Sequence, residues 1–362
     1  MSRTRRRVLA VLGVLALAGA GVGAYLRYSR LSVAGHLKAA NAEAARREFK
    51  LAAGHLDTYL AARPDDLDAR LFAAQLARRR SEFGAMTEHL KVHRQKGGPE
   101  APREFERRCR EVQEGDTAEG EKLLAEHADN LPAVEAVILG CLTKLRGRSG
   151  QMSRLPAGPD DPRVQLARRA ADAWMKSCKE KADRLQGLVW RGRVNAAGGE
   201  YEAALADFRG ALADDPAFSE ARLHLAMTLM QADPAGALDH LRGLRQARPD
   251  DADVLSALAA GYMAFGRIDD ARSALNEAAA KKPDDLFLVL DLGLLELEAN
   301  RPAEAEKHLR QLLARGPAVP SIYLAMSRCM TLSGKPDEAK KFRDRYEELE
   351  VLAKRPWRYP KP

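Results

Sequence analysis

The chain has 362 residues, 46% of them hydrophobic and 6% aromatic, and a formal net charge of +8. The positive charge sits at the ends: residues 1–35 carry six arginines and no acid, 354–362 carry four cations and no acid, and 36–353 hold 49 basic and 51 acidic residues. A near-neutral body lacks the basic stripe that a nucleic-acid backbone requires, so nucleic acid is set aside as a partner, and a composition rich in alanine, leucine and arginine favours helix over strand.

The first thirty residues read "MSRTRRRVLAVLGVLALAGAGVGAYLRYSR". Four arginines precede the uncharged, mostly apolar run 8–26. At ~1.5 Å per residue, a helix of that length nearly crosses a ~30 Å hydrocarbon core. The arginine flank stays in the cytoplasm, so the expectation is a single-pass signal anchor at 1–30 with the rest of the chain outside the cytoplasm, in a periplasm-like compartment. The alternative is a signal peptide cleaved after Ala20 or Ala24, which would release the body after export.

Beyond this segment the chain is punctuated. "ARPDD" occupies 62–66 and again 247–251, and "KKPDD" occupies 281–285. A helix does not readily continue through proline, and an aspartate just after it caps the next helix, so the motif is a stop followed by a start. Between these marks Leu255, Leu258, Ala259 and Tyr262 fall at helical spacing, Gly266 breaks the run, and Ala271, Leu275 and Ala278 define a second helix. Pro216, Pro249, Pro283 and Pro317 follow at intervals of 33, 34 and 34. The same pattern falls on Leu188, Gly192, Ala204 and Phe208, on Leu225, Ala226, Leu229, Ala237 and Leu241, and on Leu292, Gly293, Ala305 and Leu309. Arg191 stands where the pattern has leucine.

The clear repeats therefore span 185–317, and a last repeat or cap spans 320–353. Pro64, Pro99 and Pro132 carry the period back through degenerate repeats at 33–66, 67–99 and 101–134. Another helix starts at 135, and the phase then slips by close to half a period. The glycine- and proline-bearing stretch 147–162 absorbs the slip as a loop inserted between that helix and its partner; a domain boundary is the alternative. In the tail 354–362, Trp357 and Tyr359 either cap the last helix or fray with it.

These residues resemble the tetratricopeptide repeat, W-x2-L-G-x2-Y…A-x3-F…P with a period of 34, over about 33–353. Leu255 stands at the tryptophan, Leu258 at the leucine, Ala259 at the small residue and Tyr262 at the tyrosine, whereas Glu296 replaces the tyrosine one repeat later. The resemblance implies an all-α, right-handed superhelical solenoid of antiparallel helix pairs, here behind an N-terminal transmembrane or signal helix, in a membrane-anchored, bacterial-type member. It also implies a concave face, built from first helices, that receives a protein or peptide. The residues it places there are Leu223, Met227, Met230, Ala260, Met263, Phe287, Leu290, Leu294 and Leu297, an apolar, methionine-rich row suited to adaptable binding. Packing between helices is the alternative role for the same residues. The lysines and asparagines with which one subclass clamps a partner's C-terminal carboxylate are replaced here by Leu223, Ser256, Leu290, Met227, Ala260 and Leu294.

Chemistry is sparse. There is no H-E-x-x-H, G-x-S-x-G or P-loop, and Cys109, Cys141, Cys178 and Cys329 form no C-x-x-C. His89 and His93 lie one helical turn apart without an identifiable third ligand. The expectation is a scaffold or adaptor with no catalytic residue, cofactor or metal; an accessory subunit of a membrane-associated enzyme is the second reading.

Overall fold

The computed structural model describes residues 33–146, 157–230, 232–283, 285–315 and 319–354. The apolar run 8–26, most of the inserted loop and the tail 355–362 lie outside them. Among the described residues no helix is long and apolar enough to cross a membrane.

All regular structure among the described residues is helical. The helices are α1 (Val33–Ala45), α2 (Phe49–Ala62), α3 (Leu67–Arg79), α4 (Phe83–Gln95), α5 (Glu100–Gln113), α6 (Thr117–Glu126), α7 (Leu131–Arg146), α8 (Pro162–Ser177) and α9 (Lys181–Ala197). They continue with α10 (Tyr201–Asp214), α11 (Ser219–Leu229), α12 (Pro234–Ala247), α13 (Ala252–Ala264), α14 (Ile268–Lys281), α15 (Leu286–Glu298), α16 (Pro302–Ala314), α17 (Pro320–Leu332) and α18 (Pro336–Lys354). The chain divides into two compact units, Met1–Arg110 and Glu111–Pro362. In the first, α1 packs on α2 and α3 on α4. In the second, α7 packs on α8, α9 on α10, and so on in pairs to α17 on α18, each pair also touching the next.

The aspartates of the punctuation act as caps. Asp66 accepts from Ala69 N–H at 3.0 Å, Asp251 from Asp253 N–H at 2.9 Å, and Asp285 from Phe287 N–H at 3.0 Å. In each case it is the second aspartate of "PDD" that satisfies the first turn of α3, α13 or α15.

In most hairpins the turn is marked by a left-handed residue; the described residues of the short α11–α12 turn hold none. Positive φ occurs at Arg47, Ser81 and Gly115, spaced by 34, and at Gly266, Asn300 and Gly334, again spaced by 34. Gly199 precedes Gly266 by two periods less one position, because the α11–α12 turn is short. Gly199 follows Gly115 by two periods and nearly half of a third. The excess falls where α7 ends at Arg146 and α8 starts at Pro162, within a pair whose helices pack on each other.

The cores are built from small residues meeting large ones. A Cβ at Gly192 would lie 2.5 Å from the Phe208 ring, and one at Gly293 would lie 3.0 Å from Leu309, so glycine lets α9 close on α10 and α15 on α16. Phe208, Leu241, Leu275 and Leu309 are fully buried at equivalent places on the second helices.

Candidate functional site

The first helices of three successive hairpins, α11, α13 and α15, carry the residues expected on a binding face. The structure divides them. Leu223 is 9% exposed, Leu290 1% and Leu297 2%, so these three are core residues, not surface. The cause is the next first helix. Val254, Ala257 and Leu258 of α13 cover Leu223, and Ile322, Met326 and Met330 of α17 cover Leu290 and Leu297. Met227, Met230, Ala260, Met263, Phe287 and Leu294 are half-buried. Met227 and Met230 lean on the α11–α13 core, Met263 on the α13–α15 core and Leu294 on the α15–α17 core. What remains accessible on this row is the flank of each packed seam, and thioethers make up half of it.

Two departures from the repeat pattern are balanced by charge. Arg191, which stands where leucine is usual, reaches from α9 to Asp207 on α10, with Nε 3.1 Å from both carboxylate oxygens and Nη2 donating to one of them. Asn195 donates to the same carboxylate at 3.1 Å. This contact raises the pKa of Arg191 further, chiefly through the hydrogen bond to Asp207. Glu296, which stands where tyrosine is usual, is 3% exposed and accepts from Arg272 of α14, from Nε at one oxygen and from Nη2 at 3.2 Å at the other. In the first unit Arg78 donates to Glu106 at 2.8 Å with both side chains buried. Each is a buried acid held by an arginine from another helix, so the charge that replaces an apolar contact is met inside the array.

The other residues singled out for chemistry are buried or half-buried. His93 is 2% exposed, with its ring against Gly98, and burial lowers its pKa and that of His89. Among the described residues, no cluster of three or more histidine, cysteine or carboxylate groups is placed to hold a metal ion. Cys109, Cys141 and Cys329 are buried, and burial pushes the Cys141 thiol up to about 12, so it is not a nucleophile near neutral pH.

A tetratricopeptide repeat model matches residues 229–292 and 296–350. No curated protein matches the chain. Among solved structures, human IFIT1, a dimer solved with m7Gppp-AAAA, aligns over 89% of this chain and 78% of its own at 16% identity with a TM-score of 0.56, a likeness of fold. TTC0263, a thermophilic TPR protein of Thermus thermophilus, aligns over 46% of this chain and 100% of its own at 26% identity with a TM-score of 0.41. PilF of Pseudomonas aeruginosa aligns over 47% of this chain and 78% of its own at 22% identity with a TM-score of 0.42.

Proposed function

We propose that this chain, which carries tetratricopeptide repeats, is a non-enzymatic scaffold tethered to a membrane by residues 1–30 and binding a protein or peptide outside the cytoplasm. The observation that carries the reading is the half-buried row Met227, Met230, Met263, Phe287 and Leu294 along successive first helices. Flexible thioethers flanking a rigid helical seam give a partner apolar contact without costing the fold its core. The arginine-flanked run 8–26 supports the tether, because nothing else in the chain has its length without charge.

The test is photo-crosslinking from position 263 of the full chain in its native cells, with fractionation of the same lysate. Discrete adducts with another protein, in the membrane fraction, are expected. Adducts lost in Met227→Gln would locate the contact on the row. No adduct beyond the chain itself would remove the binding reading, and a soluble exported chain lacking its first twenty-odd residues would replace the anchor with a cleaved signal.

A further inference from the structure

The last described hairpin carries a second kind of surface. On α17, Leu324 is 47% exposed and Leu332 is 44% exposed, whereas large apolar side chains are otherwise mostly buried or half-buried. Leu324, Arg328 and Thr331 recur at i, i+4 and i+7, which puts them on one face of the helix over about 10 Å. On α15 the corresponding face is sealed by α17, where Leu290 and Leu297 are core residues. On α17 no described element covers it.

That face leads into a pocket of about 270 Å³ lined by Thr331, Pro336, Ala339, Lys340 and Arg343. At the place of Arg343 the earlier second helices carry the buried Phe208, Leu241, Leu275 and Leu309. Of the cations nearby, Arg328 pairs with Glu298 at 2.6 Å, Lys335 with Glu306 at 3.6 Å and Arg345 with Glu348 at 2.7 Å, whereas the exposed Lys341, outside the pocket lining, has no ion pair among the described residues. Among the described residues Lys340 and Arg343 have no ion pair, although Asp344 and Glu347 stand one helical turn further along α18. Two unpaired cations beside an apolar floor, with Leu324 and Leu332 exposed on the adjoining helix, call for a ligand with carboxylates and bulky apolar groups side by side.

We propose that the α17–α18 surface docks an acidic, leucine-type segment of a partner protein, its apolar side chains on Leu324 and Leu332 and its carboxylates on Lys340 and Arg343. Charge chooses among occupants. The chain's own residues 354–362 bring Lys354, Arg355, Arg358 and Lys361 and no acidic side chain, so as occupants they would meet like charge at the pocket. An inorganic anion would leave the leucines bare. This site adds to the proposed function and does not depend on the methionine row.

The experiment uses the full chain and two short fluorescent peptides, one of glutamate, aspartate and leucine, the other with every acid replaced by lysine. The acidic peptide is expected to bind, and to bind more weakly at high salt. Lys340→Glu with Arg343→Glu should weaken it about tenfold or more, since two attractive contacts become repulsive. Leu324→Gln should weaken it without altering the melting curve, and Met227→Gln with Met263→Gln should leave it unchanged. Equal binding of the lysine peptide, or indifference to the charge reversal, would overturn the proposal. Tighter peptide binding in Trp357→Ser would do so too, by making the chain's own tail the occupant. Self-association abolished by Leu324→Gln would make a second copy the occupant. Failure of crosslinking at position 263 bears on the methionine row alone, so the two readings fail separately.

Discussion

Replacing Arg191 by leucine restores the residue that the repeat pattern has at that place, yet it should destabilise the protein. Asp207 is 6% exposed, and its carboxylate is held by Arg191 through three close contacts and by Asn195 through one. Leucine at 191 leaves a buried charge with only Asn195. Stranding one partner of a fully buried pair costs about 3–5 kcal/mol. The Arg191 side chain is 35% exposed, so water reaches the gap and the expected loss falls to about 2–3 kcal/mol. At roughly 2–4 °C per kcal/mol for a unit of this size, the melting temperature should drop by about 5–10 °C. The double variant Arg191→Leu, Asp207→Leu removes both charges and should return to within about 1 kcal/mol of the parent. Because repeat arrays open locally, amide exchange in α9 and α10 should be followed beside the melt. If Arg191→Leu costs less than about 1 kcal/mol, or the double variant is worse than the single, the pair is not what replaces the leucine in this hairpin, and the argument fails.

Three further outcomes are expected. Gly266, with φ +67 and open space around it, should lose about 1 kcal/mol on change to alanine from backbone strain alone, whereas Ser81→Gly, relieving φ 60, should gain up to about 1 kcal/mol; urea melts of both decide it. The Asp66 carboxyl is held below its usual value by Ala69 N–H and then by the Tyr59 hydroxyl at 2.6 Å, so its contribution is full above the ordinary carboxylate pKa of about 3.9 and fades as pH falls below that value. Asp66→Ala should therefore cost about 1 kcal/mol at neutral pH and progressively less as pH falls below the ordinary carboxylate range in paired melts. Met227→Gln with Met263→Gln, at two half-buried sites, should lower stability by about 1–2 kcal/mol and partner capture about tenfold; a loss above about 4 kcal/mol would make both residues core and end the case for a binding row.

The hairpins were legible because their signals are local. Proline stops, aspartate caps and glycine turns act within a few residues, and the spacing of Pro249 and Pro283 locates α13 and α14 without knowledge of any neighbour. Exposure was not legible, because it is decided a repeat away. Leu290 and Leu294 look alike in sequence, and only the packing of α17 on α15 separates a core residue from a half-buried one. The same distance hid the charge pairs. Arg191 and Glu296 stood out as departures from the pattern, but their partners lie on other helices. Asp207 is on the second helix of the same hairpin as Arg191, and Arg272 is on the second helix of the hairpin before Glu296, where no local rule links them. The α17–α18 surface was missed for a related reason. Arg343 follows Leu309 by one period at a place that is apolar in four earlier hairpins, so that contrast is readable by counting; what is not readable is that Leu324, unlike Leu290 one period earlier, is left exposed.

The half-period gained between Gly115 and Gly199 has a consequence for remodelling the chain. α7 and α8 pack on each other across the long connection, and Asp161 caps α8 through Arg163 N–H at 2.9 Å, so the residues at its own start set where the second helix begins. Closing a longer loop costs only about 0.6 kcal/mol for each doubling of its length. Additional sequence is therefore cheap at this joint, and expensive in any hairpin whose turn is a single left-handed residue. A reporter or foreign epitope spliced between α7 and α8 should ride on the array with every downstream face still in register, making this joint the natural port for cargo.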